Sequence, residues 1–398
     1  MAEHNLNSLN PGAFANLVKS REAAVAAACS ERKREGFAVN RLAKALHPER
    51  QYLRVAEIME HGDNCKTYVL VPDRQRGTTA CAYFSAGQYL SVFVDINGKK
   101  YNRPYSIVSS PKDALTGYYR ITIKGIEGGL VSTFILENWK KGTAVETSDP
   151  MGNFTYEPLR DTSSIVGIAG GSGITPFMSL AKAIAEGDEE CSLTLLYGST
   201  DAQHILFQEE LDAFQARCPK IRVVYVLSEE EADGCAHGYI TADLIRQYAP
   251  QLPSTFFICG PRAMVAFVDK QIEELAIERK YIRHELHGEL LDYSAQSNAP
   301  KTAPRTVRIT VNCRQKTTVI VGSSEDSILR ILEKNGIAAP SRCRSGECGF
   351  CRSRLISGEV YIPKDLDKRR LADSQYGYIH PCCTYPLGDL QIEIAANR

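Results

Sequence analysis

The sequence predicts a multidomain chain with a short helical N-terminal extension, an antiparallel β-barrel, a parallel α/β domain and a small α+β domain. Three observations carry that prediction. From residue 52 the hydrophobic period becomes that of strands, with β-branched and aromatic runs at 67–71 and 89–96 between turn residues. From residue 163, apolar strands at 163–169, 193–196, 223–226 and 255–258 alternate with helical stretches, the rhythm of a parallel sheet. From Arg305, alternating strands at 307–311 and 317–321 precede an amphipathic helix at 327–335, and 390–394 supplies a closing strand.

The totals bound the class. A chain of 398 residues has room for two or three domains, each with its own core. Its 47 basic and 47 acidic residues cancel, so nothing drives it generally towards nucleic acid or a membrane surface. The uncharged run 162–181 is interrupted by four glycines and Pro176, which suits a strand, loop and helix better than a membrane span. The opening residues lack a basic stretch followed by an apolar one, so the expectation is an unexported, cytoplasmic protein. In a reducing compartment its thirteen cysteines read as ligands, a catalytic thiol and core filler rather than disulfides. Cys29, Cys65, Cys81, Cys191, Cys218, Cys235 and Cys313 fall in the filler class.

The densest chemistry lies near the C-terminus, in P-S-R-C-R-S-G-E-C-G-F-C and, further on, H-P-C-C-T-Y-P. Cys343, Cys348 and Cys351 stand in the C-x4-C-x2-C spacing of [2Fe–2S] ligation, which needs one more distant cysteine. Three thiolates reach a small inorganic centre from one loop, and Gly346 and Gly349 permit that loop's tight turns. Structural zinc is the rival reading, although only one tight ligand arm is present where zinc sites usually pair two. Buried unreactive thiols are the third. This region resembles the plant-type ferredoxins, a β-grasp fold, and the resemblance selects Cys382 over Cys383 as fourth ligand, because their last cysteine precedes a proline at the spacing of Pro386.

Upstream stand Arg103-Pro104-Tyr105-Ser106 and then Gly128-Gly129-Leu130-Val131-Ser132-Thr133. This pair of motifs resembles the flavin domain of the ferredoxin–NADP reductase superfamily. The resemblance implies that Arg103 pairs with flavin phosphate, Tyr105 lies against the isoalloxazine and Ser106 sits near its reacting nitrogen. Those residue types suit the roles, with a permanent cationic fork for phosphate, a flat ring for a flat ring and a small donor. Gly128, Gly129, Ser132 and Thr133 would offer donors at a helix N-terminus to an anionic phosphate. FAD is favoured over FMN.

The run Gly170-Gly171-Ser172-Gly173-Ile174-Thr175-Pro176 joins an apolar strand to a helix, as a pyrophosphate site requires. Its spacing is not G-x-G-x-x-G, and it resembles instead the nicotinamide loop of the same superfamily. Gly171, Gly173, Thr175 and Pro176 are therefore assigned to the dinucleotide. Cys259-Gly260-Pro261-Arg262-Ala263-Met264 resembles that family's C-G-P-x-x-M, in which the cysteine borders nicotinamide and flavin. Cys259, Gly260, Pro261 and Met264 follow from it, and Glu285 from the family's last reductase strand, although His287 replaces the usual aromatic two residues on. Asp201 and the run Glu229-Glu230-Glu231 lie where relatives using NADPH often carry basic residues, so NADH is favoured over NADPH.

The domain boundaries read 1–50 for the helical extension, 51–158 for the flavin barrel and 159–290 for the nicotinamide domain. Residues 291–304 form a Ser/Asn/Ala/Pro-rich linker that permits rotation, and 305–398 form the ferredoxin-like domain. Residues 305–398 carry fifteen Lys/Arg against ten Asp/Glu, a balance of +5, with Arg342, Arg344, Arg352 and Arg354 around the cluster loop. Two readings stay open, a basic docking face for an acidic partner and a merely solvated surface. The resemblance implies an NAD(P)H-dependent reductase that passes a hydride to flavin and single electrons through a [2Fe–2S] cluster to a protein acceptor. Catalytic roles fall on Ser106, Cys259 and Glu285, and no nucleic acid or membrane partner is expected. The alternative is a non-catalytic redox-sensing or electron-input component of a larger complex.

Overall fold

The computed structural model describes residues 11–27, 37–62, 64–250, 253–286, 288–290, 292–293, 296, 299–300 and 303–395. Cys29, His287 and half of the 291–304 linker lie outside them. The chain divides into a unit ending at Ala45 and a unit beginning at Leu46. The first holds helix α1 (Pro11–Ala27) and most of α2 (Ala38–Leu46). Val39 and Leu42 of α2 are exposed, as is Phe37 before it.

The second unit opens with six antiparallel strands, β1 (Gln51–Glu60), β2 (Cys65–Pro72), β3 (Tyr89–Ile96), β4 (Lys99–Ser106), β5 (Tyr119–Lys124) and β6 (Ala144–Thr147), in the order β4-β3-β6-β1-β2-β5. The sheet curls into a half-barrel, and an isolated bridge between Ile107 and Ile121 ties the end of β4 to β5. Alternate residues such as Leu53, Val55, Tyr68, Leu70, Leu90, Val92 and Ile121 point inward and fill it. Helices α3 (Pro111–Thr116) and α4 (Leu130–Asn138) interrupt the strands, α3 starting on a Ser110/Asp113 capping box.

The next sheet is parallel, built from β7 (Ser164–Gly170), β8 (Ser192–Ser199), β9 (Ile221–Leu227), β10 (Ala236–His237), β11 (Thr255–Cys259) and β12 (Ile282–Glu285). Its order is β10-β9-β8-β7-β11-β12, with α5 (Thr175–Ala185), α6 (Gln208–Arg217), α7 (Ala242–Tyr248) and α8 (Arg262–Glu274) in the crossovers. The order reverses between β7 and β11, and such a switch point opens a crevice at the carboxyl ends of the two strands. Every residue of β7 and β11 is buried, as strands covered on both faces require.

The last part pairs β13 (Thr306–Cys313) with β14 (Lys316–Ser323), packs α9 (Ile328–Lys334) on them, and adds β15 (Ser353–Ser357), β16 (Val360–Tyr361), α10 (Leu371–Gln375), β17 (Tyr378–Ile379), β18 (Tyr385–Pro386) and β19 (Leu390–Glu393). The mixed sheet runs β14-β13-β19-β15-β17, with β19 parallel to β13. The expected order of two strands, one helix and a closing strand is present. Within the expected linker, one described residue is docked. Tyr293 is buried against Tyr361 and Tyr385 with ring centroids at 5.2 and 4.6 Å, and the Tyr385 hydroxyl donates to Leu290 O at 2.6 Å. Three tyrosines thus pin the start of the linker to the ferredoxin-like part.

Candidate functional site

Glycines shape the crevice at the switch point. A Cβ on Gly173 would lie 2.2 Å from the carbonyl oxygen of Cys259, so only glycine lets the loop after β7 close on the end of β11. Gly171 adopts φ +51°, while Gly170 and Gly260 leave room for the Met264 side chain, whose atoms would meet their Cβ positions at 2.2 and 2.5 Å. Pro176 stands in the first turn of α5, and the Thr175 hydroxyl donates to Ser172 O at 3.0 Å. A cavity of about 490 Å³ opens here, lined by Gly170, Gly171, Ser199, Thr200, Pro261 and Met264 among others. Tyr239 and Phe267, also on its wall, place their ring centroids 5.8 Å apart. These two aromatics carry no sequence motif, and spacing alone could not find them.

Two domains meet at the catalytic residues expected from the sequence. Cys259 and Glu285 are register partners on β11 and β12, and the Ser106 hydroxyl at the end of β4 donates to Glu285 Oε2 at 3.4 Å. All three are buried. Burial, with Glu285 adding to it, pushes the Cys259 thiol well above its usual range, so it stays protonated. Tyr89 pairs with Ser106 in the ladder, and its ring would lie 3.0 Å from a Cβ on Gly152. It was not predicted as a site residue.

The expected flavin residues are placed less uniformly. Gly128, at φ +68°, and Gly129 precede α4, and exposed Thr133 lies in that helix's first turn. Ser132 is turned inward, its hydroxyl accepting from Ile126 N at 3.3 Å. Tyr105 is half-buried, and burial raises its phenol. Arg103 donates to Asn102 O at 2.7 Å and stands 3.7 Å from Glu333 Oε2, at the seam with the ferredoxin-like part.

Four cysteines gather at the far end of the seam. Cys351 and Cys382 Sγ atoms are 3.5 Å apart, and Cys343 shares a proton-mediated contact with Cys348. That hydrogen bond, with N–H groups of Ser345 and Cys348 at 3.5 and 3.4 Å, draws the Cys343 thiol below its usual range. Cys383 donates instead towards His380 O at 3.5 Å. Among the described residues no group of three or more metal-ligating side chains converges as one ion would require. Two thiol pairs are what a dinuclear iron–sulfur core needs, each iron taking two cysteines, whereas structural zinc takes four around one point. Among the described residues, buried donors without a hydrogen-bond partner belong to the same loop, namely Arg342 Nε and Nη1 and Ser345 Oγ. Inorganic sulfides would accept from such donors, so the site fits the cluster. Of the four arginines expected to crowd the loop surface, two belong to the interior. Arg344 is 1% exposed, and Arg342 packs its guanidinium on Phe350 and Phe93 at 4.6 and 5.9 Å. Arg352 and Arg354 remain outside.

Three family models cover these parts in order: the oxidoreductase FAD-binding domain over residues 57–156, the oxidoreductase NAD-binding domain over 168–270, and the 2Fe-2S iron-sulfur cluster binding domain over 310–387. The chain belongs to the ferredoxin–NAD(P)+ reductase superfamily, with a C-terminal [2Fe–2S] ferredoxin domain. The reductase is 28% identical over 337 residues to a component of the 1,2-phenylacetyl-CoA epoxidase of Escherichia coli (strain K12), a match covering 79% of this chain and 89% of that protein. It is 28% identical over 355 residues to the ferredoxin reductase component of 3-ketosteroid-9-alpha-monooxygenase from Rhodococcus rhodochrous, covering 86% and 96%. The fold matches phthalate dioxygenase reductase with TM-score 0.62 and 23% identity, over 87% of this chain and 98% of that one. The reductase is accordingly an NAD(P)H oxidoreductase that uses flavin and a [2Fe–2S] cluster to hand electrons to a partner protein. No helix among its described residues is long and apolar enough to cross a membrane.

Proposed function

We propose that this reductase is the cytoplasmic electron-supply component of an oxygenase system, taking hydride from NADH onto FAD. The observation that carries the reading is the joining in one chain of a buried Ser106–Glu285–Cys259 hydride site and a four-thiol exit site, with relatives named for oxygenases. Bound flavin converts the pairwise electrons of nicotinamide into the single electrons that the cluster takes.

The chain's own residues do the rest. Gly171, Gly173, Thr175, Pro176, Gly260, Pro261 and Met264 hold the dinucleotide at the switch point. Arg103, Tyr105, Gly128, Gly129, Ser132 and Thr133 hold the flavin. Ser106 presents a hydroxyl and Glu285 steadies it, while the protonated Cys259 lets two rings approach without an opposing charge. Cys343, Cys348, Cys351 and Cys382 hold the cluster.

The fixed carboxylates beside the cavity support NADH. Asp201 is tied to His204 at 2.7 Å and Glu230 to Ala202 N at 2.8 Å, so both stay where a 2′-phosphate would be repelled. The acceptor docks at the exposed Cys348 and Phe350, with Arg352, Arg354, Lys364, Lys368 and Arg370 matching an acidic surface.

Cys348→Ser tests the division of labour. The variant should bleach its flavin with NADH at the parent rate and deliver no electrons to a one-electron protein acceptor. Loss of both in a folded, flavin-loaded variant would overturn the assignment, and equal kcat/KM for NADPH and NADH would overturn the carboxylate argument.

A further inference from the structure

Arg344 occupies the cluster loop between Cys343 and Ser345 at φ +59°, a conformation that side chains other than glycine seldom adopt. Its guanidinium is wholly enclosed. Nη1 donates to Glu333 Oε1 at 2.7 Å and to Asn102 Oδ1 at 3.2 Å, and Nη2 donates to Glu333 Oε2 at 2.9 Å and to Glu289. Those partners come from α9 of the ferredoxin domain, β4 of the flavin domain and the segment after β12 of the nicotinamide domain. One side chain thus touches all three. Asn102 extends the contact, donating from Nδ2 to Ser341 O at 2.8 Å and accepting from Ser341 Oγ at 2.5 Å. Arg103, partly exposed and 3.7 Å from Glu333, adds a second guanidinium to the edge of this set.

Such a set is a poor source of stability, because desolvating the charges offsets much of their attraction and apolar residues could fill the volume as well. What it supplies is a single geometry. A planar fork bound on both prongs to one carboxylate, with a third partner across the seam, tolerates little rotation. On the nicotinamide side the Tyr385 hydroxyl also holds Leu290 O at 2.6 Å, while on the flavin side the other polar restraints among the described residues are fewer. Lys99 Nζ donates to Lys334 O at 2.6 Å, and Arg342 stands 3.8 Å from Asp149.

We propose that Arg344 is the positioning residue that fixes the cluster loop against the flavin strand, with Glu289 and Asn102 as its anchors on the two reductase domains. The inference rests on the electron-relay reading above and adds to it the device that sets flavin-to-cluster distance. Hydride transfer, confined to the two reductase domains, does not depend on it.

The test mixes NADH anaerobically with the holoprotein and follows flavin bleaching and cluster bleaching separately. Glu289→Gln and Asn102→Ala remove one anchor each and leave the Arg344–Glu333 fork inside the ferredoxin domain intact. In each variant flavin should bleach at the parent rate, while the cluster is reduced about ten- to a hundredfold more slowly. Arg344→Lys, which keeps the charge and loses the fork, should show the same split. Iron content and the paramagnetic resonance spectrum of the chemically reduced cluster should match the parent, and proteolysis between the nicotinamide and ferredoxin domains should quicken. Parent-rate cluster reduction in both anchor variants, an altered cluster spectrum, or slowed flavin bleaching would each overturn the proposal. A parent protein whose cluster never bleaches with NADH would instead sink the underlying relay, a result visible before any variant is made.

Discussion

The flavin domain has two seams, and they are built from different materials. Towards the nicotinamide domain it shares one apolar core. Ala86, Val108, Phe154 and Tyr156 pack with Ile174, Phe177, Leu195 and Phe257, and Phe154 sets its ring edge-on to Phe177 and Phe257 at 5.6 and 5.0 Å. Polar ties at the rim include Ser179 to Ser109 O at 2.7 Å and the Arg120–Glu210 fork at 2.8 Å. Towards the ferredoxin domain the contacts are mainly charges and amides around Arg344 and Asn102. The contrast follows the chemistry each seam serves. Hydride transfer needs reacting atoms in near-contact, which a close-packed core enforces. Passing an electron asks only for proximity, which a few directional bonds can set.

Phe154→Ala should break that contrast most. Emptying the shared core should cost about 3–5 kcal/mol. Flavin and nicotinamide domains should lose stability together in denaturant, while the ferredoxin domain's cluster absorbance persists to the parent midpoint. Separate transitions for the first two domains would refute the shared core.

Gly173→Ala sharpens it at the backbone. Its Cβ would press on Cys259 O at 2.2 Å, and the strain should cost about 1–3 kcal/mol. NADH affinity and flavin bleaching should fall, with cluster reduction by a chemical donor unchanged. Parent-like NADH binding would show that the loop has room to shift.

The smallest effect is alkaline. Burial raises the Cys65 thiol to about 11 and the Cys191 thiol to about 12 from an ordinary 9.0. The unfolded chain therefore sheds these protons first, so stability is intact below pH 9 and declines as pH climbs towards 11–12. Each thiol should account for about 1 kcal/mol by pH 10. Thermal melts of the parent and Cys191→Ala at pH 8 and pH 10 check it: the variant should lose less.

Much of this was legible in sequence because it is local. The glycine loop, the C-G-P-x-x-M run and the cysteine spacing each fit within about a dozen residues, and the strand period marked the first two sheets. What spacing could not reveal are partnerships between distant positions. Arg344 finds Asn102, Glu289 and Glu333 at separations of 242, 55 and 11 residues. Counting charge made Arg342 and Arg344 part of a basic face, since a tally of residues carries no burial. Tyr293 misled similarly, because a Ser- and Pro-rich neighbourhood hides one aromatic that docks. Arg103 matched its motif, yet its guanidinium stands beside Glu333 across the seam.

The core centred on Phe154 also decides where this molecule can be taken apart. Cutting between barrel and parallel sheet would leave two greasy faces in water, whereas parting the ferredoxin domain from the barrel would expose mostly groups that water solvates readily. Exchange of modules, in the laboratory or over evolutionary time, has its natural suture at the polar joint.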